Sequence, residues 1–327
     1  MRRREFIAGL GGAAAWPLAA RAQQGDRVRR IGVLMGGAND QVGQELIAAF
    51  REGLNSHGWT EARNLRIDYR WAEGKTDLIK AYTGELLDLK PEAVLIIGAR
   101  ILAAMQDATR TVPLVFVGTV DPVAQGFVAS WARPGGNTTG FTLFEFSVLS
   151  KMLETLKQIA PNIKRLAVIF HSDNPESIIS MRLLETAAPS FAVKPIPAPV
   201  RDRAEIERAI EMLAQEPDTG LLLPPDVFTT VHRELIVALA ARHRVPAVSS
   251  VRSYTAAGGL VSYGVDTIDI LRRAAGYIDR ILRGEKPADL PVQAPTKYQM
   301  VLNLKTAKAL GLDVPPTLYA RADEIIE

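Results

Sequence analysis

Residues 29–59 read RRIGVLMGGANDQVGQELIAAFREGLNSHGW, and the hydrophobic period changes partway through. The first seven residues form an apolar, partly β-branched run that ends at Gly36 and Gly37, the pattern of a buried strand. Beyond it, Val42, Leu46, Ala49, Phe50 and Leu54 recur at helical spacing until Gly58 stops the run. Strand, glycine turn and helix make the opening half of a βαβ unit. The fold class then depends on whether the chain repeats it.

It repeats it twice over. Downstream, LRIDYRWA predicts a strand, and TDLIKAYTGELLDLK a helix capped by Thr76 or Asp77 and stopped before Pro91. AVLIIG, ARILAAMQDATR and PLVFVG continue as strand, helix and strand. A second series starts near Phe146. Its helices are SVLSKMLETLKQIAP, PESIISMRLLETAAP, RAEIERAIEMLAQE and FTTVHRELIVALAARHR. Its strands are KRLAVIF, TGLLLP, PAVSS and a proline-limited edge strand, FAVKPIPA. Last come a strand, GGLVSYG, a long helix over TIDILRRAAGYIDRILRGEKP, and a strand, KYQMVLN. Neither series is long enough for an eight-unit barrel.

The expected fold is α/β: two Rossmann-like doubly wound lobes joined by a multi-crossover hinge. The crossings are expected near Gly140, Tyr263 and Leu290. Lobe I would then be 28–141 plus 263–288, and lobe II 142–262 plus 289–327. There is no Gly/Ser-rich tether between them.

Upstream, MRRREFIAGLGGAAAWPLAARAQQ has the three parts of an export signal. These are a basic start (Arg2, Arg3, Arg4), a short apolar run, and Ala20-Arg21-Ala22 as a cleavage site. A membrane span needs about 20 apolar residues, and this run is shorter. Arg3-Arg4-Glu5-Phe6-Ile7 has the twin-arginine arrangement of the route that exports folded proteins. A signal peptide over 1–22, cleaved after Ala22, places the mature chain in the periplasm. The whole chain has 39 Lys+Arg and 36 Asp+Glu. Removing 1–22, with four arginines and one glutamate, leaves 35 of each. A neutral mature chain offers no argument for nucleic-acid or membrane partners. With no cysteine, disulfides and thiolate metal sites are excluded.

Enzyme templates are missing: no G-x-S-x-G, H-E-x-x-H, Walker A or G-x-G-x-x-G. His57, His171, His232 and His243 lack metal spacing, and no metal or cofactor is expected. Binding is the better expectation, because open α/β sheets hold ligands beyond the carboxyl ends of their strands. Reading those ends gives Asn39, Ala99, Arg100, Thr119 and Asp121 in the first series. The second series gives His171, Asn174, Asp226, Phe228, Arg252 and Tyr254, with Tyr263 at a crossing. Each Asp or Asn can equally be a helix cap.

Two blocks go further. VDPVAQGFVASWARPGGNTTGFT, a turn-rich stretch read as a hinge boundary, closely resembles a signature of the ABC transporter substrate-binding proteins of the tryptophan/tyrosine-type family. RILRGEKPADLPVQAPTKYQMVLNLKTAKALGLDVPPTLYARADEII resembles the C-terminal part of a large bacterial branch of that family. The resemblance runs from about Arg30 to the end. It implies a type I periplasmic binding protein-like fold with three crossovers and a ligand-closing cleft. It also implies that Asp121 and Asp226 face that cleft. Members that bind aromatic amino acids show an N-S or D-N pair in the second lobe, where this chain reads HSDNPES and PPDVFTT. The resemblance therefore does not fix the ligand.

The expected function is a periplasmic solute-binding component of an ABC importer. It would be a non-enzymatic monomer that takes a small polar organic molecule, amino-acid-like or aromatic types included, to an inner-membrane permease. A sensor presenting its ligand to a membrane receptor fits the same sequence. An exported enzyme would need a nucleophile–base pair that is not found. A LacI-like regulator would need a helix-turn-helix in place of the export signal.

Overall fold

The computed structural model describes residues 28–143, 146–174 and 176–327, so the export segment expected at 1–22 lies outside the described residues. Five strands form the first sheet: β1 (Arg29–Met35), β2 (Leu65–Trp71), β3 (Ala93–Ile97), β4 (Leu114–Val117) and β5 (Thr138–Phe141). Their order is β2-β1-β3-β4-β5, and every pairing is parallel. Parallel neighbours need crossovers, and the helices α1 (Gln41–Ser56), α2 (Thr76–Asp88) and α3 (Ala99–Ala108) supply them. β3 and β4 are buried along their whole length, as expected of strands covered on both faces.

The second sheet has seven strands in the order β7-β6-β8-β9-β10-β11-β12. They are β6 (Arg165–His171), β7 (Lys194–Val200), β8 (Thr219–Leu223), β9 (Ala247–Ser249), β10 (Val261–Val265), β11 (Tyr298–Asn303) and β12 (Glu324–Ile326). All pairings are parallel except β10 with β11. Its helices are α4 (Phe146–Ile159), α5 (Ser177–Ala187), α6 (Arg203–Ala214), α7 (Val227–Val231), α8 (Arg233–Arg242) and α9 (Arg252–Ala256). β7 and β12 are the edges, and Pro195, Pro197 and Pro199 alternate along β7.

α10 (Thr267–Leu282) returns to the first lobe. It buries Ile270, Leu271, Ala274, Ala275 and Ile278 in one core with Ile47, Phe50 and Leu54 of α1. The two helices approach closely at Gly53, where a Cβ would sit 2.7 Å from both the Ala275 Cβ and the Arg272 carbonyl oxygen.

The structure departs from the sequence reading in four places. NTTGFT, expected as hinge loop, contributes β5. Gly140 has φ +156°, and a Cβ there would lie 2.1 Å from the Phe116 carbonyl oxygen, so only glycine allows β5 to join β4. The single helix expected over 228–244 is two, α7 and α8, meeting at His232. The second crossing follows Val265 instead of preceding Tyr263, because Tyr263 pairs with Met300 inside the second sheet. The third follows Gln293, which is still bridged to Phe141 of the first sheet.

Candidate functional site

Both sheets carry a switch point. In the first, the connections from β1 and β3 leave in opposite directions, because β2 lies outside β1 and β4 outside β3. The second repeats this at β6 and β8. Loops at such points diverge and leave a crevice. The two crevices face each other and enclose a cavity of about 590 Å³, within the range of small-molecule sites. Apolar walls come from Leu46, Ile79, Ile97, Leu143, Val251 and Ile268.

The lobes touch around this cavity. Val227, the first residue of α7, enters lobe I between two glycines. A Cβ at Gly36 would be 3.0 Å from Val227 Cγ1, and one at Gly98 (φ +120°) 3.3 Å from its Cγ2. At the rim, the Arg233 guanidinium donates to Asp40 at 2.6 Å, from lobe II to lobe I. Asp40 also caps α1 by accepting from the Gly43 amide. Partial burial would raise its carboxyl pKa, but the Gly43 amide and Arg233 outweigh this and hold it below the ordinary value.

A second link lies deeper. Glu176, 5 % exposed, stands between Asn174 and α5 in lobe II. Its Oε1 accepts the Val120 amide of lobe I at 2.6 Å, with the Gln125 amide nitrogen at 3.5 Å. Burial raises its pKa to about 7, although those donors and Thr119 oppose the rise; Asp226 nearby adds to it. The Glu176 amide donates to Asn174 Oδ1, and Asn174 Nδ2 donates to Asp226 Oδ2 at 2.7 Å. Asp226 is fully engaged in its own lobe. Oδ2 also accepts the His171 amide at 3.1 Å, and Oδ1 caps α7 through the Thr229 amide at 2.8 Å.

Of the expected site residues, Ala99, Arg100, Thr119, Asn174, Asp226, Phe228 and Arg252 line the cavity. Arg100 at the start of α3 donates to the Gly74 carbonyl and the Thr76 hydroxyl, both neutral. Arg252 is held by both Glu324 oxygens at 2.6 Å. The other five do not line it. Asn39 is exposed and bonded by Gln44. Asp121 caps the following turn, accepting the Val123 and Ala124 amides. His171 packs edge-on behind Phe228 at 4.7 Å, and its pKa is lowered by burial and then by Arg100. Tyr254 is 2 % exposed in the lobe II core. Tyr263 stacks on Tyr298 at 6.2 Å. The reading missed Glu176 and Arg233, and it passed over Asp40 at the end of the first strand in favour of Asn39. Asp40 carried a visible cap signal. Glu176 looked like an ordinary acid at a helix start, and only the lobe contact reveals its burial.

A family profile described as ABC transporter substrate binding protein matches residues 28–326. The chain belongs to this family. One relative is the "Tyrosine-binding protein" of Clostridioides difficile (strain R20291). It is 24 % identical over 278 residues, 84 % of this chain and 80 % of that protein. Among solved structures, the "ABC domain in complex with L-Trp" from Streptococcus pneumonia matches with TM-score 0.84 at 22 % identity, covering 91 % of this chain and 99 % of that one. A ligand-free, open substrate binding protein with adhesive properties from Clostridium difficile matches at the same identity and coverage, with TM-score 0.66. Both likenesses show the type I periplasmic binding protein fold.

Proposed function

We propose that the protein is the periplasmic solute-binding component of an ABC importer. It closes its two lobes on a small organic molecule with an anionic group and an apolar body, and presents the closed form to a membrane permease. One observation carries this reading. Three arginines line the cavity, and Arg233 and Arg252 are paired with Asp40 and Glu324. Arg100 has no ion-pair partner among the described residues, and a carboxylate from the cavity would complete it. Amino-acid-like and aromatic ligands suit the volume, and the names of the two relatives point the same way. No helix among the described residues is long and apolar enough to cross a membrane.

A thermal-shift screen of the mature chain against amino acids, nucleosides, purines and aromatic acids tests the reading. A ligand at about 100 times its Kd adds roughly 2.7 kcal/mol of stability. Hits confined to uncharged or purely cationic compounds, or a hit that is chemically altered on incubation, would refute it. Export through the twin-arginine route predicts that Arg3→Lys with Arg4→Lys leaves the precursor in the cytoplasm.

A further inference from the structure

We propose that Glu176 is a proton-carrying latch: the lobes close with this carboxyl in its neutral form, so closure takes up one proton and acid favours the closed protein. The inference rests on the reading above that the lobes move.

The geometry comes from two sides. Glu176 stands at the start of α5 in lobe II, while the Val120 amide and Gln125 that bond it lie on the connection from β4 to β5 of lobe I, where the Val120 side chain reaches across into the lobe II core. Separating the lobes removes those partners and admits water. Closing them leaves the carboxyl 5 % exposed. Burial disfavours the charged form of a carboxyl. A cationic partner could reverse that, yet none of the salt bridges among the described residues involves Glu176. Its surroundings supply little positive charge. From lobe II, Asp226 lies across Asn174 and adds negative charge; His171 is held toward its neutral form, and Asp173 follows it. From lobe I, Asp121 is turned to its own loop amides, and Arg100 lines the same cavity with its guanidinium on Gly74 and Thr76. A neutral carboxyl keeps a carbonyl oxygen for the Val120 amide, so the latch survives protonation.

The sign follows from linkage. In the closed form the pKa is raised to about 7; in the open form the solvated carboxyl returns toward the ordinary value of about 4.3. Closure is therefore favoured below pH 7 and loses this support as pH rises through 7. The closed-to-open ratio should rise roughly five- to tenfold per pH unit between pH 7 and 5. Asp40 at the rim works the other way, but only at more acidic pH, because its pKa lies below the ordinary carboxylate value.

The chain has no cysteine, so cysteines placed at exposed Lys80 on α2 and Arg208 on α6 would carry the only spin labels. Interlobe distances by pulsed electron resonance, in ligand-free protein from pH 8 to pH 5, read the closed fraction directly. The expected result is a closed fraction that grows toward pH 5, and in Glu176→Gln a closed fraction that stays high and flat. A wild-type ratio that ignores pH, or a Glu176→Gln protein that follows pH as the wild type does, overturns the latch. L-tyrosine and L-tryptophan serve as closing probes at pH 7. If the distance changes with a probe but not with pH, the latch fails alone; if it never changes in any sample, lobe closure fails with it.

Discussion

Replacing Asp226 by asparagine separates a structural carboxylate from a ligand-binding one. Three donors converge on this side chain: the Thr229 amide at 2.8 Å on one oxygen, and the His171 amide at 3.1 Å and Asn174 Nδ2 at 2.7 Å on the other. The site is 7 % exposed, so water cannot substitute freely. Asparagine caps a helix about as well as aspartate, and a lone cap would lose little. Here an amide nitrogen must replace one oxygen. Facing His171 and Asn174, it opposes two donors; facing Thr229, it removes the cap. Either orientation forfeits hydrogen bonds to a charged acceptor, worth about 1.5–3 kcal/mol, and leaves a buried donor unmet. We expect a loss of about 2–4 kcal/mol for Asp226→Asn, or a melting temperature lower by roughly 4–16 °C by calorimetry. Affinity should fall only as far as the Asn174–Glu176 loop is displaced. An unchanged melting temperature with a large loss of affinity would refute this assignment and make Asp226 a ligand contact.

Asp121→Asn should leave affinity unchanged in titration calorimetry, since its carboxylate serves its own turn outside the cavity. Arg100→Gln should weaken binding of a carboxylate ligand by about 10- to 150-fold, matching the loss of a charge-assisted hydrogen bond of 1.5–3 kcal/mol. Asp40→Asn should cost about 1 kcal/mol of closure, or roughly fivefold in affinity, and Arg233→Met in the same background should add little. Gly53→Val should destabilise by about 1–3 kcal/mol in urea unfolding, because the added Cβ alone would sit 2.7 Å from α10.

Much of the architecture was legible because apolar periodicity is local. The change of period between Arg29 and Leu54 gives β1 and α1, and alternating prolines demote 194–200 to an edge before any pairing is known. What failed was non-local. Thr138–Phe141 reads as a turn until Phe116 is placed against Gly140. Tyr263 looks like a crossing until β11 pairs with it. For the site, strand ends locate the crevice loops and so find Arg100, Thr119 and Asn174. They do not say which side chains face inward. Asp226 turns into its own lobe to serve three donors, two of them more than 50 positions away, and the carboxyl of Glu176 finds its donors 56 and 51 positions earlier, at Val120 and Gln125.

The prolines of β7 have a further effect at the scale of many molecules. β7 pairs with β6 on one side, and the Lys194 amide donates inward to the Lys164 carbonyl. Amides in a strand alternate sides, so those of 195, 197 and 199 would point outward, and all three are prolines without an N–H. The rim of the second sheet thus offers acceptors but no donors over this length. A strand from another copy cannot zip onto it with a two-way ladder, and filament growth along that sheet is blocked at its first step. Such an edge lets the protein stay dispersed at high concentration without a helix or loop to cover it.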